Sequence, residues 1–306
     1  MSIRRSWLER QIDWMKGSLT AEWSFCVPCF HRPVLMRIAL LVTLGTVIAA
    51  NAHAAIVCTA IADAVSGLLR TQEGTCDVRV TPASTFKIAI GLMGYDSGYL
   101  IDEHSPRLPF LKGDPDWNPS WRQPTDPTSW IKNSVVWYSQ RVTRHLGEQR
   151  FQQYVTRFRY GNEDVSGDPG QRNGLTHAWL GSSLQISPLE QLQFLEQIVQ
   201  RRLGVTARAY DMVGRITRIA PASGGWEVHG KTGTGFPTLP DRSTDEDHAF
   251  GWFVGWASKG SRSVVFARLI QDTETESTPA GLRARDAFIK ELPGILEASE
   301  AHDGNR

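Results

Sequence analysis

Charge of one sign is what this sequence lacks most plainly: 33 Lys and Arg stand against 32 Asp and Glu, a net charge of +1 over 306 residues. Basic and acidic side chains are interspersed along the chain, so no phosphate-binding face forms and nucleic acid is excluded as a partner. Cysteine is scarce, at 4 residues, too few for a disulfide scaffold. The apolar run over residues 38–50 falls short of the roughly 20 residues that span a bilayer. Internal repeats and low-complexity linkers are also missing. The 41% of apolar residues suits an ordinary folded chain of one large domain or two small ones.

The start of the chain is organised differently from the rest. Met36-Arg37, the apolar run and then Asn51-Ala52-His53-Ala54 give a basic start, an apolar centre and Ala-x-Ala. This pattern predicts a secretory signal peptide over residues 36–54, cleaved after Ala54. Met36 is then the working start, residues 1–35 are a doubtful upstream leader, and the product is exported to the periplasm with no membrane attachment. Cys26-x-x-Cys29 falls in that leader without a βαβ context and reads as a chance pair. Cys58 and Cys76 are the two left after cleavage, in an oxidising compartment, so a disulfide between them is expected.

Strand-like segments gather at the two ends of the mature chain. Residues 55–62 and 67–71 read as paired strands around Asp63-Ala64-Val65-Ser66, with Cys76 opening a third extended stretch. Near the other end, residues 226–232, 248–258 and 263–271 are rich in aromatic and β-branched residues. Between them, residues 130–158 carry helix-period apolar positions broken near Gly147, and residues 188–202 open with proline at a helix start. A last amphipathic helix is predicted over residues 281–292, ended by Pro293 and Gly294. The expected fold is α/β of the α+β type: residues 55–300 as one domain, an antiparallel sheet drawn from both chain ends and flanked by helices, with a helical part inserted over about residues 98–215 and a tail at 301–306.

Ser84-Thr85-Phe86-Lys87 stands where the first strands give way to the helical part. Spaced three apart, Ser84 and Lys87 share a helix face, roughly 5–6 Å apart at Cβ. A serine becomes a nucleophile when a neighbouring base takes its proton, and an amine at this spacing can do so. On its own the run reads as a capping serine followed by a surface lysine. Three further elements follow in order: Ser134-Val135-Val136 on the helix after a Trp-rich loop, the turn Tyr160-Gly161-Asn162, and Lys231-Thr232-Gly233-Thr234 at a strand end.

That ordered set resembles the class D serine β-lactamases, over essentially all of residues 55–296. Trp179-Leu180 and Arg283 look like that family's lysine-pocket tryptophan and carboxylate-binding arginine. The resemblance implies a β-lactamase/transpeptidase-like fold and β-lactam hydrolysis through an acyl-enzyme on Ser84. It implies that Lys87 carries a carbamate and serves as general base, with Trp179 holding it. Backbone N–H groups of Ser84 and Thr234 would form the oxyanion hole. Ser134 would relay a proton, Lys231 would keep the local field positive, and Lys231, Thr232, Gly233 and Arg283 would receive the substrate carboxylate.

Phe86, Val135, Trp179 and Leu180 would surround Lys87 with apolar groups that disfavour its ammonium form. A neutral amine can add carbon dioxide, so carbon dioxide or bicarbonate is the one co-reactant implied; no other cofactor and no metal is expected. Partners are small β-lactams, and the chain is expected as a monomer or homodimer. A transpeptidase shares the Ser-x-x-Lys and Lys-Thr-Gly logic but usually carries an anchor or extra domains. A class A enzyme would have Ser-Asp-Asn where this chain has Ser134-Val135-Val136. A β-lactam sensor would need transmembrane helices.

Overall fold

The computed structural model describes residues 54–303 apart from 240 and 242. The leader, Cys26 and Cys29, and the signal segment up to residue 53 lie outside the described residues. Six strands form one sheet: β1 (Ala55–Asp63), β2 (Leu69–Gly74), β3 (Arg218–Ser223), β4 (Trp226–Gly235), β5 (Phe250–Lys259) and β6 (Arg262–Gln271). Their order is β2-β1-β6-β5-β4-β3, and each adjacent pair is antiparallel. The first strand thus pairs with the last, with Ile61 opposite Phe266, and joins the two chain ends in one sheet.

Both faces of that sheet are covered, which is why its central strands read as continuous apolar runs. In β5, Trp252 and Val254 enter one core while Phe253 and Ala257 enter the other. In β6, Val265, Ala267 and Leu269 alternate in the same way with Val264, Phe266 and Ile270. One face packs on the last helix, α7 (Ala280–Asp303). The other packs on the inserted helices α1 (Lys87–Asp96), α2 (Pro127–Lys132), α3 (Val136–Phe158), α4 (Gly174–His177), α5 (Pro188–Val199) and α6 (Ala207–Thr217). Helix α1 runs through the middle of this body and is buried on all sides from Lys87 to Tyr95, as an almost wholly apolar helix must be. Lys87 is its anomaly. A lysine with no exposed surface is rare unless something at its tip compensates.

Local chemistry explains the element ends. Helix α5 starts with Ser187 as cap, Pro188 at its first turn and Glu190 closing a capping box. Helix α3 is kinked at Gly147, whose backbone leaves the helical region at φ 74 and ψ 165. Cys58 and Cys76 are joined in a disulfide, tying β1 to the segment after β2.

Three expectations change. The stretch after Cys76 is not a third strand; it makes one bridge, Val80 to Ile186. Strand β3 was not foreseen, because Pro221 sits within it; as the outermost strand it has a side on which a missing N–H costs nothing. Helix α7 does not stop at Pro293 but continues through it. Leu292 and Leu296, on either side of the proline, are both buried in the sheet core, and that packing offsets the lost backbone bond. Among the described residues no helix is long and apolar enough to cross a membrane.

Candidate active site

Ser84 lies on a single 3-10 turn, Ala83–Phe86, that leads into α1. The residue before it, Ala83, is held at φ 47, a left-handed conformation that costs a non-glycine residue about 1 kcal/mol or more. The surroundings hold it there. Thr85 donates to the Pro82 carbonyl through its backbone N–H (3.1 Å) and its hydroxyl (2.7 Å). Gln191 Nε2 in turn donates to Thr85 Oγ1 (3.1 Å) and to the Tyr160 hydroxyl (3.3 Å). On the other side, strand β4 presses on the turn: a Cβ on Gly233 would stand 2.9 Å from Pro82 O and 3.3 Å from Ser84 N. Glycine at that position lets the Lys231–Gly235 strand end lie directly against the nucleophile.

Lys87 Nζ lies 2.9 Å from Ser84 Oγ. The amine has no solvent contact, and its pKa is pushed well below the ordinary lysine value, first by burial and then by the nearby Lys231 charge. The ring of its neighbour Phe86 belongs to an interlocked aromatic cluster. Phe86 meets Tyr160 edge-on at 4.9 Å between ring centres and Trp179 at 5.7 Å, while Phe151 touches both Phe86 and Trp179. The Trp179 indole is fully buried and its Nε1 has no hydrogen-bond partner. An unpaired buried donor costs about 1–3 kcal/mol, so this N–H is a position that an acceptor would satisfy.

The backbone around Trp179 is fixed to the segment before Ser84. Thr81 Oγ1 donates to Trp179 O (2.9 Å) and accepts from Gly181 N (3.1 Å), and the Trp252 indole donates to Thr81 O (3.1 Å). Leu180, between them, packs against the main core, as does the buried Val135. Ser134 is not on a helix as the sequence suggested. It sits in the turn between α2 and α3 at φ 57, a conformation serine rarely adopts. Trp121 Nε1 donates to Asn133 O (2.9 Å), and Trp137 Nε1 to Trp121 O (3.1 Å), so two buried indoles fix that turn.

Lys231, in β4, is also buried, and burial lowers its pKa to about 7, with the charge of Arg285 adding to the effect. Its Nζ donates to Thr232 O (2.9 Å) and Thr232 Oγ1 (3.2 Å). Thr234 Oγ1 accepts from Gly281 N at the start of α7 (3.0 Å). Tyr160-Gly161-Asn162 forms the turn: Asn162 accepts from Gln185 N (3.0 Å) and donates to Ser183 O (2.8 Å).

Arg283 is placed differently from its expected role. Its Nη2 lies 2.5 Å from both oxygens of Asp272, and its Nε donates to Thr278 O (3.0 Å). Asp272 is buried, so this guanidinium is the counter-charge of a carboxylate inside the protein.

Sequence reasoning missed Gln191, Thr85, Thr81, Trp121 and Asp272. Gln191 left one signal: a polar residue one turn from Pro188 and Leu195 on the apolar stripe of α5, a place where its amide must find partners.

A buried lysine against a serine on a strained turn, with a Lys-Thr-Gly strand pressed beside it, defines a serine acyl-enzyme site. In agreement, the penicillin binding protein transpeptidase domain family matches residues 47–293, and the chain belongs to it. Within that family it is a class D β-lactamase. It is 46% identical over 243 residues to Beta-lactamase OXA-9 of Klebsiella pneumoniae, covering 78% of this chain and 88% of that one. Beta-lactamase OXA-1 of Escherichia coli is 34% identical over 221 residues, covering 71% and 76% of the two chains. The crystal structure of OXA-427, a class D β-lactamase, superposes with a TM-score of 0.75 at 50% identity over 79% of this chain and 99% of its own.

Proposed function

We propose that this protein hydrolyses β-lactam antibiotics through an acyl-enzyme on Ser84, with Lys87 carbamylated, and that in a bacterial periplasm it confers resistance. One observation carries the reading. The amine of Lys87, pushed toward its neutral form, lies 2.9 Å from Ser84 Oγ, and the Trp179 indole, packed on the adjacent Phe86, keeps a buried N–H with no acceptor. That donor set fits a carbamate on Lys87 Nζ: the group carries the acceptor oxygens the indole lacks. When formed from carbon dioxide and the neutral amine, the carbamate supplies an oxygen base beside the nucleophile.

The residues of the chain then divide the work. Ser84 Oγ gives up its proton toward Lys87 as it bonds to the β-lactam carbonyl carbon. The backbone N–H groups of Ser84 and Thr234 hold the oxygen of that carbonyl as it gains charge, a contact worth about 3–4 kcal/mol. The C–N bond of the ring breaks, and Ser134 delivers a proton to the nitrogen while Lys231 keeps the local field positive. A water that loses its proton toward Lys87 then cleaves the ester and frees Ser84. Lys231 Nζ and the Thr232 hydroxyl receive the substrate carboxylate, Gly233 keeps the strand close, and Val135 and Leu180 keep the base dry. Tyr160, Gly161 and Asn162 act behind the site as structural supports.

The test is a turnover count with benzylpenicillin in large excess. Many equivalents hydrolysed per protein, with activity lost after acidic carbon-dioxide-free dialysis and regained with bicarbonate, supports the reading. One equivalent consumed and then silence would identify an acylated sensor or transpeptidase instead.

A further inference from the structure

A carbamate on Lys87 needs two runs of chain held in register, the one that carries Ser84 and Lys87 and the one that carries Trp179 and Leu180. Trp179 is 98 positions along the chain from Thr81, so no local structure sets that register. Apolar packing is non-directional and sets it only loosely. A polar tie at Thr81 supplies the direction.

Thr81 is buried and opens the run Thr81-Pro82-Ala83-Ser84. A hydroxyl has one proton, and Thr81 gives it to Trp179 O (2.9 Å), while a lone pair on the same oxygen accepts from Gly181 N (3.1 Å). A carbonyl and the N–H two residues on are the pair that an extended strand turns toward its neighbour. Here a side chain answers them in place of a strand, and Leu180 is the residue enclosed. The peptide units on both sides of Leu180 are thereby fixed to the run before Ser84.

Thr81 is itself anchored. The Trp252 indole of β5 donates to Thr81 O (3.1 Å), and Val80 exchanges both backbone bonds with Ile186 (3.1 and 2.9 Å). The far end of the tied segment is freer. Gly181 is exposed and rests at φ 97, a conformation open to glycine. Without the hydroxyl, water competes for the Trp179 carbonyl and the Gly181 N–H, and the segment can drift outward while the core stays packed. Lys87 Nζ takes up carbon dioxide by giving its lone pair to the carbon and losing one proton; the reverse step returns a proton to Nζ. Water admitted as the segment drifts brings that proton.

We propose that Thr81 is a positioning residue of this site, its hydroxyl holding Trp179 and Leu180 where they retain a carbamate on Lys87. The proposal rests on the carbamate reading above. Thr81 touches neither substrate nor the reacting atoms; it sets how firmly Lys87 keeps carbon dioxide.

Thr81→Val keeps the shape of the side chain and deletes the hydroxyl, whereas Thr81→Ser keeps the hydroxyl. Carbon-13 NMR of each protein, titrated with labelled bicarbonate at fixed pH, reads the concentration that half-fills the carbamate; a thermal melt accompanies it. Thr81→Val should need about tenfold more bicarbonate than the wild type, the scale of a lost hydrogen bond at a buried tie, and Thr81→Ser should stay near the wild-type value. Thr81→Ala deletes the hydroxyl without crowding and should shift in the same direction, so the result does not hang on the valine variant folding. An unchanged half-filling concentration in folded Thr81→Val or Thr81→Ala, with the loss confined to Tm, would overturn the proposal, as would an equal shift in Thr81→Ser. No carbamate signal in the wild type at any bicarbonate concentration would sink the carbamate reading itself, a separate outcome.

Discussion

Gly233→Ala is the perturbation whose effect follows most directly from the geometry. The new methyl would stand 2.9 Å from Pro82 O, 3.1 Å from Thr85 Cγ2 and 3.3 Å from Ser84 N. Two of these are backbone atoms, and Pro82 O is already held by Thr85 N at 3.1 Å and Thr85 Oγ1 at 2.7 Å. Those bonds make the turn rigid within itself, so strand and turn must part as units by several tenths of an ångström. Ser84 and Thr234 sit on opposite sides of that seam, and their N–H groups are the proposed oxyanion hole. Displacing one such donor costs about 10²-fold in rate, while a single extra methyl in a packed interior costs about 1–3 kcal/mol of stability. Stopped-flow acylation by a chromogenic cephalosporin, with a thermal melt on the same sample, reads both. The expected result is a folded protein acylating about 10²-fold more slowly. A folded Gly233→Ala protein acylating at the wild-type rate refutes the claim that this seam sets the oxyanion hole.

Trp179→Phe keeps the chamber apolar and deletes the unpaired N–H; activity should become more dependent on added bicarbonate, seen as a rise in the concentration giving half-maximal rate. Lys231 falls from 10.5 to about 7, so between those values the unfolded chain holds a proton that the folded one has released. Its burial cost, about 5 kcal/mol at most, is fully present below pH 7 and fades as pH rises toward the unfolded value. Lys231→Met should therefore raise Tm at neutral pH and flatten the gain in Tm between pH 7 and 10, at the expense of activity. Cys58→Ser removes a closure spanning 18 positions, worth about 3 kcal/mol; chemical denaturation should show a loss of that order, matched by reduction of the wild type.

What was legible in the sequence was whatever is fixed by local pattern. β5 and β6 were readable because two covered faces leave an apolar run between turns, and the start of α5 because Ser-Pro-x-Glu is a complete start signal. Ser84, Lys87 and the Lys231–Thr234 strand end were readable because their chemistry depends on spacing along one element. Ser134 was found by its place in a motif, but its turn was not, since a left-handed serine is imposed by the buried indoles of Trp121 and Trp137. Pro221 hid an edge strand, and Pro293 suggested a helix end that packing overrides. Arg283 shows the limit most clearly. It is held by the buried carboxylate of Asp272, a pairing between distant parts of the fold that spacing along the helix does not reveal.

The central claim is that Lys87 is held neutral in order to carry a carbamate that Trp179 secures. Carbon-13 NMR of the protein equilibrated with labelled bicarbonate tests it directly. The account predicts one protein-bound carbamate resonance, absent in Lys87→Ala and weakened in Trp179→Phe, that rises and falls with penicillin turnover. Full turnover with no bound carbamate resonance would contradict it.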